Sequence, residues 1–105
     1  MKTKVVIVED HPLFRERLAL LINKEPDMEV CGEADNIRQA MEVIQATKPD
    51  AAVLDITLKG SSGLELLKDL KAQSIELPVL VLSMHDESLY AERAIRAGAK
   101  GYITK

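Results

Sequence analysis

The chain has almost no cysteine. Cys31 stands alone, which excludes an internal disulfide and metal centres built from several thiolates, and suits a reducing cytoplasm. In an apolar strand a lone cysteine reads as a small buried hydrophobe. A long basic run is also missing, and acidic residues exceed basic ones, 17 against 14. The electrostatic footprint of a nucleic-acid-binding surface is therefore absent, and this segment is not expected to bind DNA alone. No apolar stretch approaches the roughly 20 residues needed to span a bilayer, and the amino terminus has no apolar core ahead of a cleavage site. Repeats, low-complexity tracts and linkers are lacking too. These exclusions point to one domain of a cytoplasmic protein that does not enter the membrane.

What the chain does contain is a series of short aliphatic runs separated by segments of helical period. The runs are Lys4 to Val8, Val30 to Ala34, Ala51 to Leu54, Val79 to Leu82 and Gly101 to Thr104. Their alternation with helices predicts an α/β fold, a parallel sheet covered on both faces. Three runs lack the polar alternation of a half-solvated strand and are expected at the centre. Phe14, Leu18, Leu21 and Ile22 recur at helical spacing after Pro12, whose fixed φ suits a first helical turn. A second stripe comprises Ile37, Ala40, Met41 and Ile44, with Asp35 and Asn36 as capping candidates and Lys48, Pro49 and Asp50 as a stop. Leu64, Leu67 and Leu70 form a third after Gly63. Leu89, Ala94 and Ile95 form a fourth after Asp86, which Gly98 can end. Met28, Met41 and Met84 suit core filling.

Charged residues stand where these runs stop. Glu9 and Asp10 follow the first, Asp55 the third and Lys105 the fifth. In parallel strands such positions meet at the carboxyl edge of the sheet, where open α/β folds bind ligands. Three ionised carboxylates about 6 Å apart, at an effective dielectric near 20, repel by roughly 3 kcal/mol per pair and on the order of 8 in total. A small domain's whole stability is about 5 to 15 kcal/mol. A divalent cation is the best candidate to offset that repulsion, with the Lys105 ammonium and protonation of one carboxylate as the others.

In these residues the chain resembles the receiver domains of bacterial two-component response regulators. The likeness runs from Lys4 to Lys105 and rests on Glu9-Asp10, Asp55, Gly63, Ser83, Tyr102 and Lys105 in order. Glu9-Asp10-His11-Pro12-Leu13-Phe14 and Gly101-Tyr102-Ile103-Thr104-Lys105 look most like regulators that carry a LuxR-type or NarL-type helix-turn-helix after the receiver. The resemblance implies a flavodoxin-like doubly wound sheet of order 2-1-3-4-5. It implies that Asp55 is the phosphoacceptor for a sensor histidine kinase. It also implies that Asp10, Asp55 and the backbone carbonyl of Thr57 ligate Mg²⁺ and that Glu9 acts largely through water. Lys105 and Ser83 correspond to the groups that meet the phosphoryl oxygens, and Ser83 and Tyr102 to the switch pair. His11 and His85 flank the pocket and are expected only to support it. Lys59 stands where many receivers have proline, with Gly60, Ser61 and Ser62 before Gly63.

A doubly wound domain normally continues into a helix after the fifth strand, and here the sequence stops at Lys105. Residues 1–105 are accordingly expected to be a receiver truncated after strand five, with DNA reached only through a missing carboxyl-terminal domain. Four apolar side chains of an absent helix would contribute about 1.5 to 3 kcal/mol each. A homodimer or segment-exchanged dimer is the expected cover. Partner choice is expected on the first helix around Leu13, Arg15 and Arg17. Two other classes fit less well. A haloacid-dehalogenase-type phosphatase needs a second aspartate where Thr57 stands. A flavodoxin-like FMN carrier needs a phosphate loop without the carboxylates of Glu9 and Asp10. A binding module that no longer switches is the remaining alternative.

Overall fold

The computed structural model describes residues 2–55, 63–83 and 101–104. Within them β1 (Thr3–Val8), β2 (Met28–Ala34), β3 (Ala51–Asp55), β4 (Val79–Ser83) and β5 (Gly101–Thr104) form one sheet. Every pairing is parallel. The order is β2-β1-β3-β4-β5, with β1, β3 and β4 at the centre as their unbroken aliphatic runs require. Val5, Val6, Ile7, Val8, Ala52, Leu54, Val79 and Val81 are buried. Three helices are described, α1 (Pro12–Asn23), α2 (Ile37–Thr47) and α3 (Gly63–Ala72). The expected fourth helix, with Asp86, Leu89, Ala94, Ile95 and Gly98, lies outside the described residues, as does Met84. No helix among the described residues is long and apolar enough to cross a membrane.

In α2 the apolar stripe lies where its period puts it. Ala40 and Ile44 are buried, and Ile37 and Met41 pack against the core they help to form. The cap is Asn36, whose Oδ1 accepts from the Gln39 amide at 2.8 Å, while Asp35 accepts from the Asn36 side-chain amide. Gln39 Oε1 in turn accepts from the Asp35 amide at 3.0 Å. Two amides that the helix itself cannot pair are thus satisfied reciprocally. In α3 Leu67 and Leu70 are buried as expected, and Leu66 joins them at 0% exposure. Leu64 is helical, and its side chain lies outside the description.

The first helix departs from the expected stripe. Its half-buried face is Phe14, Arg15, Leu18, Ala19 and Ile22, whereas Leu21 is 55% exposed and Leu13 and Leu20 are exposed with it. The run Leu18-Ala19-Leu20-Leu21-Ile22 is apolar nearly all round, so period alone does not choose its inner side. The choice falls to Arg15, which turns inward and brings Leu18 and Ile22, three and seven residues on, with it.

Two local features shape the edge strand and the turn into β4. Val5 pairs with Val30 and Val6 with Gly32, so Cys31 is an extra residue bulged from β2, half-buried against the core. Next to it α2 lies so close that a Cβ on Gly32 would stand 2.5 Å from Val43 Cγ1. At the end of α3 the Ile75 amide donates to Leu70 and the Ser74 amide to Lys71, with Ser74 left-handed at φ 57. This is a Schellman closure in which a serine holds the glycine position. Gly32→Ala is expected to destabilise the fold by about 1 to 3 kcal/mol through overpacking, and an unchanged urea midpoint would contradict the close approach. Ser74→Gly is expected to raise the midpoint by the equivalent of about 0.5 to 1 kcal/mol, since relief of roughly 1 to 2 from a left-handed side chain exceeds glycine's chain-entropy cost.

Candidate functional site

All five strands run in the same direction, so β1, β3, β4 and β5 end at one edge of the sheet. Val8 pairs with Leu54. The residues that follow, Glu9 and Asp55, therefore stand side by side at ends about 4.8 Å apart, the spacing of neighbouring strands. Asp55 closes β3 and pairs with Leu82, one residue short of Ser83 at the end of β4. Ser83 pairs with Thr104, and Tyr102 lies in β5 opposite Val81. The backbone thus brings Glu9, Asp10, Asp55 and Ser83 to one edge, with Tyr102 set back from it on the neighbouring strand. Thr57, Lys105 and His85 lie outside the described residues, and so do Lys59, Gly60, Ser61 and Ser62.

Glu9 is buried, with 1% of its surface exposed, and Asp10 beside it is half-buried. Three directions hold Glu9. Its amide donates to the Ala34 carbonyl at 2.9 Å, its carbonyl accepts from the Arg15 guanidinium at 2.8 Å, and its Oε1 accepts from the His11 amide at 3.2 Å. Elements β2 and α1 and the connecting loop therefore all bear on one residue. His11 also caps α1, its Nδ1 accepting from the Phe14 amide at 3.3 Å, while Pro12 begins the helix. That is a structural role for a histidine the sequence marks only by its place beside the acids.

Arg15 is the residue that sequence reasoning misplaced. Expected among partner-facing side chains, it is only 23% exposed and joins the Glu9 carbonyl to the Glu33 carboxylate, 3.3 Å from its Nε. A long arginine can cover apolar surface with its stem while its head reaches a polar partner, so its charge says little about its direction. Spacing was the available signal, because Arg15 shares a helical face with Leu18 and Ile22. Leu13 and Arg17 are exposed, as expected. Chemically, the edge presents adjacent oxygen donors of like charge, a set suited to a hard divalent cation rather than to a soft metal.

Comparison with known proteins agrees with this architecture. The model of the response regulator receiver domain matches residues 5–105. The DNA-binding transcriptional activator DevR/DosR of Mycobacterium tuberculosis is 38% identical over 102 residues, 97% of this chain and 47% of that protein. The transcriptional regulatory protein DegU of Brevibacillus brevis is 35% identical over 104 residues, 99% of this chain and 44% of that protein. Among solved structures, a LuxR-family two-component response regulator from Aurantimonas sp. SI85-9A1 superposes with a TM-score of 0.94 at 34% identity, covering 100% of this chain and 75% of that one. The chain spans about half the length of the curated relatives it matches. The parallel order of the strands, the acids at their ends and the family match over nearly the whole chain agree. The chain belongs to the response regulator receiver domains, signalling phosphoacceptors rather than catalytic enzymes, and is homologous to two-component transcriptional regulators of the LuxR and NarL type.

Proposed function

We propose that the chain accepts a phosphoryl group on Asp55 from the phosphohistidine of a sensor histidine kinase, in the cytoplasm, and so controls a DNA-binding domain in the whole regulator. The observation that carries this reading is the parallel pairing of Val8 with Leu54, after which Glu9 and Asp10 leave one strand beside Asp55 on the next. In the transfer an oxygen of the Asp55 carboxylate forms a bond to phosphorus as the phosphorus–nitrogen bond breaks. The imidazole leaves with the electron pair, and an acyl phosphate remains.

Mg²⁺ fits the donors at this edge. Asp10 and Asp55 would hold it directly, Glu9 through water and Thr57 through its backbone carbonyl, and it would neutralise charge on the attacking and transferred oxygens. Lys105 is assigned to pair first with Asp55 and then with a phosphoryl oxygen. Ser83, one residue beyond the partner of Asp55, is assigned to donate to another such oxygen. Tyr102, on the strand next to Ser83, is assigned to follow Ser83 inward, which carries the change to the partner-binding face.

Incubation with a small-molecule phosphodonor tests this directly. Intact mass is expected to show a Mg²⁺-dependent phosphoryl adduct on the chain and none on Asp55→Ala. An adduct that survives in Asp55→Ala, or that forms equally without Mg²⁺, would overturn the assignment. The place of Glu9 at the cation site has its own test. Glu9→Gln keeps an acceptor for the His11 amide and removes one carboxylate from the site. Mg²⁺ affinity measured by calorimetry is expected to fall by about tenfold. Unchanged affinity would remove Glu9 from the cation site.

A further inference from the structure

We infer that Arg15 is a positioning residue for the acidic pair, locking the peptide that joins Glu9 to Asp10 and thereby setting the geometry in which both carboxylates meet the cation. The inference rests on the cation assignment made above and adds a regulator of that site from a different element of the fold.

The Glu9–Asp10 peptide is one rigid plane. A group that holds the Glu9 carbonyl therefore also sets where the Asp10 amide lies and how the Asp10 backbone leaves the sheet. Arg15 holds that carbonyl from α1 at 2.8 Å, six residues on in the chain. The preceding peptide is fixed by the bond from the Glu9 amide to Ala34, so the two peptides that flank the Glu9 Cα are held from a neighbouring strand and from a helix. Arg15 is itself braced, since Glu33 at the end of β2 takes its Nε at 3.3 Å. A planar guanidinium with donors on separate edges can make both contacts without bending, whereas an ammonium offers one compact point of charge.

Charge and position predict opposite signs, which makes the inference sharp. If Arg15 acted on the cation only through its charge, it would repel Mg²⁺, and every neutral substitution would tighten binding. If it acts by holding the carbonyl, loss of the donor loosens the pair and weakens binding. Groups that orient metal ligands typically alter affinity by about 10- to 100-fold when lost.

Two variants separate these cases. Arg15→Met keeps a stem that packs like the arginine's and removes both charge and donors. Arg15→Lys keeps the charge and a donor on a stem nearly as long as the arginine's. Mg²⁺ titration by calorimetry is expected to show affinity weakened by about tenfold in Arg15→Met and by less in Arg15→Lys. In metal-free samples, the carbonyl carbon resonance of Glu9 is expected to shift in Arg15→Met, a signature that general loss of packing would not give. Metal-free melting of both variants, expected to be cooperative, accompanies the titrations. Equal or tighter Mg²⁺ binding by Arg15→Met would overturn the positioning role while leaving the cation assignment in place. An unmoved Glu9 carbonyl resonance in Arg15→Met would also overturn it. Absence of Mg²⁺ binding by the unsubstituted chain would overturn both.

Discussion

The arrangement depends on the register of β1 between β2 and β3, and that register is set by polar residues at the strand's two ends. The run Val5, Val6, Ile7 and Val8 is buried throughout, at 0 to 1% exposure. A strand that is apolar on both faces does not itself resist a slip by one residue, because each face accepts either set of side chains. Resistance comes from outside the run. At the amino end the Lys4 amide donates to the Asp50 carboxylate at 2.9 Å, the Asp50 amide donates back to the Lys4 carbonyl at 2.8 Å, and the Lys4 ammonium reaches the Thr47 carbonyl. At the carboxyl end Glu9 is held by β2, α1 and the His11 amide. A slip would break these contacts and draw a carboxylate into the sheet or expose an aliphatic side chain. The groups that place the acids beside Asp55 are thus the same groups that select the fold.

How much of this was legible follows from which group recognises which. The central strands could be read from composition because burial on both faces demands an unbroken aliphatic run. The stripe of α2 could be read because its polar and apolar residues separate cleanly around the helix. The acids were legible because they interrupt such runs where a parallel sheet collects its strand ends. The inner face of α1 was not, since five consecutive apolar residues leave the period undecided. The bulge at Cys31 has no compositional mark, and Gly32 beside it hints only that something approaches closely. Ser74 in a left-handed closure could not be anticipated from the residue type that normally fills it. Arg15 escaped because its partner at the site is a backbone carbonyl, a group every residue carries. Sequence patterns reveal side chains that match side chains, whereas a side chain that holds the main chain leaves no complementary letter.

An arginine close to a cluster of carboxylates would ordinarily be taken as their counter-charge. Here Glu33 takes that place instead. The guanidinium is paired with the Glu33 carboxylate, so Arg15 and Glu33 together carry no net charge. Viewed from the edge of the sheet, the pair is close to a dipole, whose influence falls faster with distance than that of a single charge. One donor edge of the guanidinium is left to serve geometry at the Glu9 carbonyl. A lysine in the same place would engage either the carbonyl or Glu33 well, and whichever it left would be a backbone acceptor without its donor or a carboxylate without its cation. The fold can therefore brace an acidic site with a cationic residue without filling the place where the acids would hold their own ion.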